Sequence, residues 1–168
     1  WEKTFPQAEF HYINAGIGGT TSHFGTARAE SDLLSHKPDF VIIEFSVNDE
    51  STEFFRETYE GLVRRVWQDE NEPAVMLVHN VYYNNGGNAQ IMHGQIARHY
   101  QLPAVSMQSS IYPEVVAGRI PNRDITEDDL HPNDKGHELV ASVITYALEK
   151  IHITQTRHIP PAQPAKNV

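Results

Sequence analysis

The chain has 168 residues and a net charge of −9 with histidines neutral, a length suited to one domain with its own core. No Lys/Arg cluster breaks that acidity, which argues against nucleic acid or an anionic membrane surface as partner. No apolar run approaches a membrane span, and without cysteine there is neither a disulfide framework nor a thiolate metal site. The compartment stays open between cytoplasm and secretion. The opening on Trp1 rather than Met reads as a processed, trimmed or partial sequence.

Residues 10–15 (Phe10, Tyr12, Ile13, Ala15) read as a short strand entering a glycine loop, Gly16-Ile17-Gly18-Gly19-Thr20-Thr21-Ser22. A helix is predicted over 26–35, ending near Leu33 and Leu34. Phe40-Val41-Ile42-Ile43-Glu44-Phe45 is a nearly continuous apolar run, the mark of a strand buried on both faces. It ends in Ser46-Val47-Asn48-Asp49. Ser51 or Thr52 caps a second helix with Phe55, Tyr59, Leu62, Val63 and Val66 on its inner face. Ala74 to Val78 reads as a strand, 88–100 as a helix and Pro103 to Met107 as a fourth strand. A long irregular connection over 108–127 follows. The last helix spans about 133–151, and the tail from Thr154, with three prolines, reads as extended or mobile. One α/β domain over 1–153 and a tail over 154–168 result. Alternating strands and helices imply a parallel sheet covered on both faces, with ligands beyond the carboxyl ends of its strands.

Asp128-Asp129-Leu130-His131-Pro132-Asn133 carries the densest chemistry. Asn133 suits an N-cap, and Asp134 puts negative charge in the first helical turn. Pro132 restrains His131, and a carboxylate at i−3 reaches the imidazole to orient it and stabilise its cation, as hydrolytic triads require. Alone, a capped helix after a polar loop explains these residues equally well.

Gly18 and Gly19 suggest a phosphate cradle, but Thr21 stands where the dinucleotide fingerprint needs glycine, so a tight turn is the simpler reading. Asn48, at a strand end, either caps a helix or donates its amide to a developing oxyanion. His131 and His137 do not share a helical face and no second ligand cluster is evident, so no metal is expected. His79 reads as a satisfied structural histidine. Ser22, Ser46, Ser51, Ser106, Ser109 and Ser110 read as caps and turns rather than nucleophiles.

Taken in order, Asn14-Ala15-Gly16-Ile17-Gly18-Gly19, Val47-Asn48-Asp49 and Asp128-Asp129-Leu130-His131-Pro132-Asn133 resemble the second, third and fifth blocks of the SGNH (GDSL-type) serine esterases. The resemblance implies a flavodoxin-like α/β/α sandwich with a parallel sheet. It gives Gly19 (backbone N–H) and Asn48 (side-chain amide) to an oxyanion hole, His131 as general base and then acid, and Asp128 rather than Asp129 as its orienting partner. Two departures stand out. Ser46 replaces a usual glycine, and the Gly-Asp-Ser block is absent, since Trp1 to His11 contain no serine. The resemblance therefore implies a first βα unit, carrying the nucleophile, upstream of residue 1, with its strand between 10–15 and 40–46. The implied activity is hydrolysis of carboxylic esters through an acyl-serine. Small acyl groups such as acetyl on a carbohydrate are expected, with no cofactor and a small-molecule ester as the partner. The rival reading is a non-catalytic α/β module that binds a sugar or acyl group.

Overall fold

The computed structural model describes residues 1–154, so the expected tail lies almost wholly outside the described residues. Three strands, β1 (Phe40–Ile43), β2 (Ala74–His79) and β3 (Ala104–Ser106), form a parallel sheet in the order β1-β2-β3. Helices α1 (Ser22–Asp32), α2 (Glu53–Trp67), α3 (Gln90–Tyr100), α4 (Ile111–Val116), α5 (Asn122–Ile125) and α6 (Asp134–Thr154) accompany it among the described residues, with a 3-10 turn over Leu34–His36.

The period-2 alternation of a strand sends successive side chains to opposite faces, and β2 supplies both cores. Val75 and Leu77, with Val41 and Ile43 of β1, pack against Ala29 of α1, Tyr59, Leu62, Val63 and Val66 of α2, and Ile96, Ala97 and Tyr100 of α3. Met76 and Val78 face the other way, towards Ile111, Ile125 and the Leu139-Val140-Val143-Ile144-Ala147-Leu148-Ile151 stripe of α6. The result is a three-layer α/β/α sandwich.

Four expectations need correction. Residues 10–15 form no strand: Tyr12 is 75% exposed, and the segment does not pair with β1. Apolar alternation makes a strand only where a neighbour completes its hydrogen-bond ladder. β1 is not buried on both faces either. Val41 and Ile43 are enclosed, but Phe40 and Ile42 are 41% and 45% exposed. They lie in register with Ala74 and Met76, on the α6 side of the sheet, where the helical layer covers β2 and β3 only. The first helix begins four residues early, at Ser22. The 108–127 connection contains α4 and α5, which are too short to show a helical period. The amino-terminal residues instead rest on α6. Trp1 stacks on Phe5 at 5.0 Å between centroids, and Phe5 meets the His152 ring edge-on at 5.3 Å.

Candidate active site

The loop between α5 and α6 is organised by one carboxylate. Asp128 Oδ1 accepts the backbone N–H groups of Leu130 (3.1 Å) and His131 (2.8 Å) and the Thr126 hydroxyl (3.2 Å), while Oδ2 meets His131 Nδ1 at 2.5 Å. An ionised Asp128 makes Nδ1 the donor, which leaves Nε2 as the basic nitrogen. Its carboxyl is held well below the usual carboxylate range, first by the His131 ring and then by the backbone N–H groups of His131 and Leu130. Both side chains are open to solvent, Asp128 at 53% and His131 at 78%.

Asp129 faces elsewhere. Its φ of +72° lets its carbonyl accept the Tyr83 N–H at 2.7 Å, and its carboxylate takes Asn122 Nδ2 (2.5 Å) and Arg123 Nη2 (3.0 Å). Asn133 caps α6 through Gly136 N–H at 3.1 Å. A Cβ at Gly136 would lie 2.3 Å from the Ile125 carbonyl oxygen, so glycine allows α6 to start against α5.

Beyond β1, Glu44 Oε1 accepts Ser46 N–H (2.8 Å), the Ser46 hydroxyl (2.6 Å) and Asn80 N–H (3.4 Å). The turn closes with Asn48 and Asp49 N–H both on the Phe45 carbonyl. Asn48 is exposed, and its amide has no hydrogen-bond partner among the described residues. Asp49 points inward instead: Oδ1 accepts Ser22 N–H at 2.8 Å and Oδ2 faces His93 Nε2 at 3.0 Å. Gly19, three residues before Ser22, is exposed with a φ of +69°, and its loop is tied by Thr20 Oγ1 to the Ile17 carbonyl.

The loop after β2 joins these parts. Ala89 N–H reaches the Ser46 carbonyl at 2.7 Å, the Tyr82 hydroxyl reaches the Val47 carbonyl at 3.5 Å, and Tyr83 N–H reaches Asp129. Hydrogen bonds therefore run from the glycine loop through the Asn48 turn and the β2 loop to the Asp128–His131 turn. The Asn48 turn and the β2 loop follow the carboxyl ends of β1 and β2, the Asp128–His131 turn lies in the connection after β3, and the glycine loop, which precedes β1, joins them through the Ser22–Asp49 bond.

Two serines weighed as nucleophiles are sealed in. Ser22 and Ser46 are fully buried; Ser22 shares a hydrogen bond with Thr58, and Ser46 bonds Glu44 and the Asn80 carbonyl. His79 is not the satisfied histidine expected: it is buried, and neither ring nitrogen has a hydrogen-bond partner among the described residues. Burial, and next the neighbouring His93, pulls its pKa down to about 4. Sequence reading also missed His93, fully buried against Tyr59 with ring centroids 3.6 Å apart. The available signal was its position on the Ile96-Ala97-Tyr100 face of α3, a polar ring on an apolar stripe.

Residues 2–139 match the model of the GDSL-like lipase/acylhydrolase family. The chain is 24% identical over 155 residues to thioesterase 1/protease 1/lysophospholipase L1 of Escherichia coli K12, covering 86% of this chain and 70% of that protein. Two crystal structures of a two-domain esterase active on acetylated mannans, one co-crystallised with mannopentaose, are 70% and 72% identical with TM-scores of 0.94 and 0.90. The match covers 99% and 98% of this chain but only 46% and 45% of theirs. An acetyl xylan esterase, AlAXEase, shares the fold at 22% identity and a TM-score of 0.71, over 88% of this chain and 86% of its own. The chain belongs to the GDSL-like lipase/acylhydrolase family.

Proposed function

We propose that these residues form the acid–base and oxyanion parts of a carboxylic-ester hydrolase that works through an acyl-serine intermediate on small acyl esters of carbohydrate, acetyl foremost. His131 Nε2 takes the proton of a serine hydroxyl as its oxygen attacks the ester carbonyl, and Asp128 stabilises the resulting imidazolium. Gly19 N–H and the Asn48 amide donate to the oxygen that gains charge. His131 then protonates the departing sugar oxygen, and water repeats the sequence to release the acid. The observation that carries this reading is the Asp128–His131 bond at Nδ1, which leaves Nε2 as the base. The similarity to an esterase active on acetylated mannans supports an acetylated polysaccharide as substrate.

In this reading the nucleophile is a serine outside the 168 residues, upstream of Trp1, and these residues alone turn over no ester. Support comes from the sealed hydroxyls of Ser22 and Ser46 and from β1, whose outer edge is unpaired among the described residues beside exposed Phe40 and Ile42. A strand bearing the serine at its carboxyl end fits that edge. The test compares a polypeptide that includes an upstream Gly-Asp-Ser with the Trp1 form, by fluorophosphonate labelling and acetate release from acetylated mannan. Labelling and release by the longer form alone is expected. A folded longer form that binds the polysaccharide yet neither labels nor releases acetate overturns the reading in favour of a binding module.

A further inference from the structure

A buried polar group beneath Asn48 has no direct part in ester chemistry. The side chains of Asp49 and His93 are fully enclosed, and they face each other at 3.0 Å. A carboxylate removed from water costs several kcal/mol unless it is paired and hydrogen-bonded, so this pair calls for an explanation.

We infer that Asp49 and His93 act as a positioning couple that fixes the two oxyanion donors, Gly19 and Asn48, relative to each other. This rests on the donor roles proposed above. Asp49 follows Asn48 in the same turn, so its backbone moves with Asn48. Its Oδ1 accepts the Ser22 N–H, the first of α1. That helix has Thr21 as N-cap, in extended conformation, and the Thr21 side chain makes no capping bond. Asp49 thus caps α1 from a distant loop, placing a negative charge at the helix terminus and tying down the backbone three residues after Gly19.

His93 fixes the carboxylate's other oxygen. Its own freedom is removed twice, along its edge by Asp49 and across its face by Tyr59, which stacks on it at an interplanar angle of 4°. The rings come from α3 and α2, both packed on the sheet, so the couple refers the donors to rigid scaffold. Loss of the His93 N–H leaves a buried anion without its partner, and the turn carrying Asn48 is free to move.

The test uses the full-length protein with kcat and KM measured separately. His93→Phe keeps the stack on Tyr59 and removes the N–H; His93→Gln restores a donor. His93→Phe is expected to lower kcat about tenfold through misplacement of the donors, with KM within about twofold and recovery in His93→Gln. Asn48→Ala is expected to lower kcat about 100-fold. In the double variant, the His93→Phe effect should shrink to the part exerted through Gly19, because the Asn48 amide is no longer there to be positioned. A purely structural role would leave the two effects multiplicative, and that result, or wild-type kcat in folded His93→Phe, overturns the couple. If Asn48→Ala keeps wild-type kcat, the oxyanion reading falls and the couple with it. If His93→Phe does not fold, Asp49→Asn enters the same cycle and is judged by the same criterion.

Discussion

The two halves of the site are anchored by opposite means. Asn48 is exposed but stands on contacts made far away in sequence: Asp49 reaches Ser22 across 27 positions and His93 across 44. His131 is held locally, by a carboxylate three residues back that also gathers two backbone N–H groups of the same turn. Under the roles proposed above, the difference follows the chemistry. Oxyanion donors act only at one point in space and gain from rigid preorganisation. An imidazole that passes a proton between two oxygens needs a fixed tautomer and a restrained ring, which a single turn supplies. Damage should therefore spread differently from the two halves.

His131→Ala should have the largest effect, lowering kcat by at least about 1,000-fold with little change in thermal unfolding, because the ring is exposed. Substantial residual turnover would remove His131 from the base role. Asp128→Asn should lower kcat by at least about 100-fold, since it can present the wrong partner to Nδ1. The native carboxyl lies below the usual carboxylate range, so its anion is lost only as pH falls beneath that range. No acid limb from Asp128 should appear in kcat/KM above about pH 4; a limb there that disappears in Asp128→Asn would contradict the strength of the pair.

Gly136→Ala attacks the local half from its base. The added Cβ meets a carbonyl oxygen of the backbone, which cannot swing away as a side chain would. A loss of about 1–3 kcal/mol in chemical unfolding is expected, with reduced kcat as α6 and the His131 turn separate from α5. Unchanged stability would mean that the contact relaxes freely. The smallest effect at neutral pH concerns His79, on the buried half. Its folded pKa of about 4 lies below the 6.5 of an open histidine, so the unfolded chain takes up the proton first as pH falls. Its contribution is complete above pH 6.5 and is lost as pH falls towards 4, about 2 kcal/mol between pH 7 and 5. His79→Phe should flatten that part of the stability profile, and a slope equal to wild type would show that the ring is not held neutral.

The same contrast governs what the chain's sequence discloses. Asp128, His131, Asn133 and the stripe of α6 lie within a few turns of one another, so spacing alone brings them together. Strands β1 to β3 are legible as short apolar runs, and helix α2 as an amphipathic one. The buried half is not, because nothing near His93 in the chain points to Asp49, and its place on an apolar helix face reads as core. Residues 10–15 failed for a related reason. Their alternation suits a strand, but strand formation is decided by a ladder partner that local pattern does not contain.

β1 offers its outer N–H and C=O groups beside two exposed apolar side chains, in a segment of four residues. An edge of this kind is a template for any extended peptide, a second copy included. A strand tethered through a short linker is present at an effective concentration of about millimolar, whereas another molecule at ordinary working dilution is about a thousandfold scarcer. In the proposed reading, covalent continuity keeps the edge for the upstream strand, and severing it would turn the same surface into a route to aggregation.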